Sequence, residues 1–547
     1  MFCSSSTPQQ ENVQLEIKAE DQPAFFAVLH ELVDEIGTTF PKKVYLIPDV
    51  NAAVVSGTGF RSLLFPSRKN LMVGMGIINT TTVSELKAIL AHEFGHYSQK
   101  SLKSGGYVYQ ANKVLHGLLQ EDEAFDSLFQ KIGQWTFITS VFSAIAYKVV
   151  SGIWWLLSRI YLLINSMYLA LSREMEFHAD AVATRVVGSS TMHNSLLRTV
   201  LADHSYNSVL QTYEGKIEEN IRSRNIYPEQ LVHLHFVARQ RGFELEGAFP
   251  RPTLAEMNRY NKSRMVVEDQ WASHPDLEQR LQRVEQMGVT AEHQDHMPAS
   301  VLFRQADAYE KQLTDGLFAL VPYPGEVVAQ SAEDYTRALE KDIKEYSFSP
   351  LYNGYYDDYC PEAFAIEKTG ATKPDSPETF FSDKMENLVY EVIGLETDIG
   401  GLEYISDKGS GIKTFDYDGE KYKRKDSFQL LVKCRKELQQ KKALLRENDI
   451  AVYHYFSTLT RSEPESQKLD IRYQDVFKAT KEFDRGTKLA GQIQQDLAFI
   501  EEVTPYHIIE RNFDALQPLE TELRTLIKRA LWSGSYAGCS VKRRSRA

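Results

Sequence analysis

Two histidines four residues apart, His92 and His96, stand with Glu93 inside an otherwise apolar run, Ala88-Ile89-Leu90-Ala91-His92-Glu93-Phe94-Gly95-His96. No other feature restricts the chain as strongly. A helix puts residues four apart on one face, so both imidazoles reach the same point in space. Two imidazoles and a carboxylate in a largely buried helix are costly without a partner. A metal ion is such a partner. The histidines bind it, and Glu93, projecting from the neighbouring position, can hold a water beside it and take its proton. A solvated helix surface, where Glu and His are common, is the plainer alternative, and the apolar flanks tell against it.

The helix is expected to begin near Val83, with Thr82 as N-cap and Glu85 completing a capping box three residues later. Two histidines do not complete a catalytic zinc site, which usually has three protein ligands. Candidates for the third lie in Leu171–Ala183, where Glu176 and Asp180 share a helix face and Arg173 precedes Glu176 by three. His178 lies about 200° round the helix from Glu176 and points elsewhere. Glu176 is therefore the expected third ligand, and Asp180, backed by Arg173, is placed to hold a ligating imidazole in the right tautomer. An exposed acidic helix face is the alternative for this pair.

These stretches together resemble metallopeptidase family 48, the gluzincins that include the HtpX-like membrane proteases and the CaaX prenyl proteases. The resemblance is carried by Glu85–His96 and by Ser172-Arg173-Glu174-Met175-Glu176-Phe177-His178-Ala179-Asp180. Pro48-Asp49-Val50-Asn51-Ala52 resembles the strand-to-loop segment before the family's site, and Ser273-His274-Pro275-Asp276-Leu277-Glu278-Gln279-Arg280 resembles its H-P motif. All four occur in the family's order between about residues 22 and 287. The resemblance implies one Zn²⁺ per chain held by His92, His96 and Glu176, with Glu93 as general base. It also implies an oxyanion-stabilising role for His274 or Arg280; a helix-entry residue is the plainer reading of a histidine before proline. The strand containing Val73–Ile78 is a candidate for pairing with a substrate strand, with a plain core strand as the alternative.

The remaining sequence sets the frame. Residues 22–36 carry helical apolar spacing, Lys43–Ile47 reads as a strand, and Asn70–Ile78 as a second strand whose Gly74 and Gly76 allow close backbone approach. Residues 132–172 form an apolar helical segment, and Lys148 and Arg159 interrupt its longest uncharged run. A spanning helix needs about 20 predominantly apolar residues, so a buried or membrane-apposed helical hairpin is expected instead. Residues 322–381 read as irregular, with helices near 276–287, 383–399, 427–456, 471–501 and 516–531. The expected fold class is mainly α with a small β-sheet (α+β). A polar segment, 1–21, precedes a zincin-type core over 22–297, and a mostly helical C-terminal domain of unassigned role fills 298–547.

A net charge of −12 excludes a general nucleic-acid binder, and a polypeptide substrate is the expected partner. Four scattered cysteines form no metal clip or disulfide framework, which fits a reducing compartment. Met1–Glu11 lacks the basic region and apolar core of a secretory signal. Family members commonly carry transmembrane helices ahead of the peptidase core, and none is written there in this chain. Two localisations follow: membrane-associated with the site in a reducing compartment, or soluble and cytoplasmic. The expected activity is zinc-dependent endopeptidase, with a family role in membrane-protein quality control. A catalytically silent scaffold of the same fold is the competing expectation, and its signature, a broken ligand set, is absent.

Overall fold

The computed structural model describes residues 13–55, 69–98, 137–266, 275–291, 294–366, 376–407, 410, 412–460, 463–501, 504 and 506–533. The architecture is mainly helical with small sheets. The chain divides into two compact units, residues 1–257 with 269–337, and residues 258–268 with 338–547.

The first unit opens on strand β1 (Leu15–Ile17) and helix α1 (Pro23–Ile36). Phe25, Phe26, Leu29, Leu32 and Val33 recur at helical spacing and are buried, and Gly37 ends the helix in the left-handed region at φ 71°. Strands β2 (Val44–Ile47), β3 (Ala52–Val55) and β4 (Asn70–Gly74) complete a four-stranded sheet of order β1-β2-β4-β3. β2 and β4 run parallel; β3 pairs antiparallel with β4, Ala52 opposite Val73 and Val54 opposite Leu71.

This topology corrects the expectation for Val73–Ile78. β4 lies between β2 and β3, so neither of its edges is open to a substrate strand, and β3 is the edge beside it. The strand is also shorter than expected, because Met75–Thr80 turns into helix α2. The loop 49–51 presses on this junction. Gly74 N–H donates to the Asn51 carbonyl at 2.7 Å and Gly76 N–H to that of Asp49 at 3.2 Å. A Cβ on Gly74 would stand 2.1 Å from the Asp49 oxygen, so only glycine fits.

Helix α3 (Val83–Ser98) carries the two histidines. Its start is the expected capping box: Thr82 N–H donates to Glu85 Oε2 at 2.8 Å, and Glu85 N–H to Thr82 Oγ1 at 3.2 Å. Helix α4 (Phe137–Val187) is continuous over 51 residues, not a hairpin. Nor is its apolar part buried throughout: Ile153, Leu156, Ile160 and Met167 are exposed. Among the described residues no helix is long and apolar enough to cross a membrane. Helices α5 (Ser189–Glu214), α6 (Ile226–Arg241), α7 (Leu277–Met287) and α8 (Ala306–Phe318) complete the unit. Leu201, Leu234, Val237, Ala238, Phe243 and Phe249 form one of its cores. Full burial of such a side chain contributes about 1.5–3 kcal/mol.

The second unit is built on α9 (Asp383–Ser406), α10 (Ser427–Leu459), α11 (Glu463–Asp496) and α12 (Tyr506–Ser533). Strands β5 (Met265–Val266), β6 (Thr414–Tyr417) and β7 (Glu420–Lys423) make a small antiparallel sheet. The tyrosine-rich stretch 352–359 is a packed loop. Tyr355 is fully buried, and Tyr355 and Tyr359 donate to Asp449 at 3.0 and 2.6 Å. The region 322–381 is less irregular than its composition suggests, since it holds the helix Ala332–Tyr346. Ser331 and Asp334 cap that helix reciprocally, a signal that the surrounding Tyr, Pro and Gly obscure in the sequence.

Candidate metal centre

The site forms where α3 and α4 cross. Gly95 makes the crossing close: a Cβ there would lie 3.0 Å from Ala179 Cα and 3.2 Å from its carbonyl oxygen. Glu176 and Asp180 lie one turn before and just after Ala179, so this approach carries both carboxylates to the histidine face of α3. The ring nitrogens His92 Nε2 and His96 Nε2 stand 3.1 Å apart. Glu176 reaches both, with Oε2 3.4 Å from His92 Nε2 and Oε1 3.4 Å from His96 Nε2.

Those spacings can be tested against an ion. Ligand atoms at about 2.0–2.1 Å from tetrahedral zinc stand about 3.3–3.4 Å from one another. The three edges of 3.1, 3.4 and 3.4 Å fit three corners of that tetrahedron and leave the fourth open. Among the described residues, His92, His96 and Glu176 are the one group of three or more such side chains that can hold a metal ion. His233 and His204 stack at 6.0 Å but belong to no group of this kind.

The surroundings fix this geometry. Asp180 Oδ1 lies 2.8 Å from His92 Nδ1, so the Nδ1–H points at the carboxylate and Nε2 faces the centre. Arg280, on α7, closes the other side of Asp180, donating from Nε to Oδ2 at 2.8 Å and from Nη2 to Oδ1 at 2.7 Å. Arg280 and Asp180 are both buried. α7 is held against α4 nearby, with the Arg283 guanidinium 3.4 Å over the Phe177 ring. At the far end of α3, Arg198 donates to Glu85 Oε1 from Nε and Nη2, both at 3.4 Å, within the capping box.

Charge follows the geometry. Burial works against protonation of His92, but hydrogen bonds to Asp180 and Glu176 outweigh it and raise its pKa to about 9. A cation at Nε2 takes the place of that proton. Burial alone would push Asp180 up; Arg280 and His92 hold it below the usual carboxylate range. Glu93 moves the other way, raised by burial and by the negative charge of Glu176, with His92 and His96 opposing. A carboxyl group raised towards neutrality is suited to exchange protons.

Arg280 therefore stands at the centre, but with Nε and Nη2 committed to Asp180 and not to an oxyanion. The sequence does contain a sign of its burial, since Arg280 shares a helix face with Leu277 and Val284. Arg173 is half-buried one turn before Glu176, and His178 is exposed. His274 lies outside the described residues. The pairing of Arg280 with Asp180, and the edge strand β3 beside α3, are the features that sequence reasoning did not find.

Residues 20–288 match the model of Peptidase family M48. Two curated proteins are similar to the chain, both named "Protease HtpX". One, from Baumannia cicadellinicola subsp. Homalodisca coagulata, is 28% identical over 197 residues, covering 34% of this chain and 58% of the relative. The other, from Buchnera aphidicola subsp. Schizaphis graminum (strain Sg), is 24% identical over 182 residues, covering 30% of this chain and 57% of the relative. The chain thus spans less than two thirds of the length of each of these relatives. No solved structure matches it.

Proposed function

Because residues 20–288 belong to peptidase family M48, we propose that the chain is a zinc-dependent endopeptidase whose centre is His92, His96 and Glu176, with Glu93 as general base. The observation that carries this reading is the open-cornered ligand triangle beside a raised carboxyl group. When bound, zinc supplies a Lewis acid for the scissile carbonyl at that open corner. The chain's own residues do the rest. Glu93 takes a proton from the attacking water and passes it to the departing amine. Asp180 keeps the His92 Nδ1–H occupied so that Nε2 stays available, and Arg280 holds Asp180 in place. The polypeptide substrate lies along the open edge of β3, the strand packed beside α3.

The substrates are polypeptides of membrane-associated proteins, cleaved in their quality control, with the site facing a reducing compartment. The free thiols Cys360 and Cys434 support that compartment. Glu93→Gln tests the mechanism. It is expected to keep the metal and to slow hydrolysis of an unfolded polypeptide such as casein by about 10²–10⁴-fold. Full activity in that variant removes Glu93 from its role.

A further inference from the structure

A chain with a net charge of −12 gathers four cations around one groove of its second unit. The groove is lined by Lys413, Lys423, Arg424 and Lys425, with Ser406 and Phe428. The Arg424 N–H donates to the Lys413 carbonyl at 3.0 Å, which fixes the two ends of the β6–β7 hairpin side by side. Lys413, Lys423 and Lys425 are exposed and form no ion pair among the described residues. The neighbouring acids have other donors. Asp426 accepts from the Lys423 N–H at 3.1 Å, Glu420 from the Tyr422 hydroxyl at 2.9 Å, and Glu403 from Arg435 at 2.6 Å. The positive charge therefore faces outward.

Beside it α10 presents uncovered apolar groups. Phe428 is 68% exposed and Val432, one turn on, is 53% exposed. We propose that this groove docks the second unit onto an anionic phospholipid surface. The lysine ammonium groups meet lipid phosphates, and Phe428 and Val432 enter the boundary between headgroups and acyl chains. Phosphate attracts the four cations whatever carries it, and the apolar pair decides the carrier. Val432 has no π face on which a base can stack, so the pair gains nothing from a nucleic acid and much from lipid. The inference is independent of the peptidase reading, because it concerns binding and not hydrolysis.

The test is co-sedimentation of the full chain with vesicles of phosphatidylcholine alone and with about 30% phosphatidylserine. Binding is expected only to the anionic vesicles, and to weaken with added salt. Each lysine near such a surface contributes about fivefold, so Lys413→Ser with Lys425→Ser is expected to weaken binding about 25-fold. Phe428→Ser is expected to weaken it several-fold without changing the salt dependence. Circular dichroism and zinc content, unchanged in these surface variants, exclude misfolding. Absence of vesicle binding, equal binding to neutral vesicles, or full binding by the double lysine variant overturns the proposal. So does polyuridylate RNA that binds through Lys413 and Lys425 while vesicles do not, since it assigns the groove to a nucleic acid.

Discussion

Asp180→Asn changes one atom and disturbs the whole centre. Oδ1 of Asp180 lies 2.8 Å from His92 Nδ1 and accepts from Arg280 Nη2 at 2.7 Å, while Oδ2 accepts from Arg280 Nε at 2.8 Å. All three neighbours are donors. An amide offers one oxygen and one NH₂ group, so either orientation sets a donor against a donor. Arg280 is buried and keeps its charge without a counter-ion. Breaking a buried pair in this way costs about 3–5 kcal/mol of folding stability. The imidazole of His92 also loses its anchor, and loss of such an orienting carboxylate weakens metal binding about 10–100-fold. The two effects separate in Asp180→Leu with Arg280→Met. There no charge remains stranded, so most of the lost stability returns, but zinc affinity stays weakened. Urea denaturation of the metal-free chain reads the first quantity, and competition with a chromophoric chelator reads the second. Asp180→Asn with unchanged stability and unchanged zinc affinity refutes the argument, as does a double variant that restores affinity.

Two further predictions follow from single positions. Gly95→Val places a branched side chain against the Ala179 backbone, where a Cβ alone lies 3.0 Å from Cα. It is expected to cost about 1–3 kcal/mol and to lower zinc affinity, which calorimetry and chelator competition check together. Glu229 is pushed by burial to about 8 from an ordinary 4.5, against a hydrogen bond from Tyr213 at 2.9 Å. The folded state then keeps a proton that the unfolded chain releases between about pH 4.5 and 8, so stability falls as pH rises through that window. Glu229→Gln should match the parent near pH 5 and exceed it by a few kcal/mol above pH 8, at about 1.4 kcal/mol for each pH unit of the window. Denaturation curves with the same pH dependence for both proteins contradict this.

What the sequence made legible is what local chemistry writes. The capping box of Thr82 and Glu85, the helical spacing of α1, and the close approach at Gly74 all follow from neighbours within a few residues. The 3.6-residue period likewise puts Glu176 and Asp180 on one face of α4. What lay hidden depends on partners far along the chain. Arg280 meets Asp180 across 100 residues, and nothing local distinguishes an arginine bound to a carboxylate from one aimed at a substrate. The sheet order is equally non-local. Asn70–Gly74 reads as a strand from its own residues, but only the pairing of β3 on one side and β2 on the other shows that its edges are closed. Residues 132–172 read as apolar, and whether such a segment folds back or continues depends on packing. The structure continues it as one helix.

The central claim is that His92, His96 and Glu176 hold one zinc ion, and metal content of the purified full chain tests it most directly. Plasma emission spectrometry of the parent, His92→Ala and Glu176→Ala, after equilibration with limiting zinc, is the measurement. The account predicts about one zinc per chain in the parent and sharply reduced zinc in both variants, with each still folded. Folded parent protein that takes up no zinc, or variants that keep it, would contradict the account.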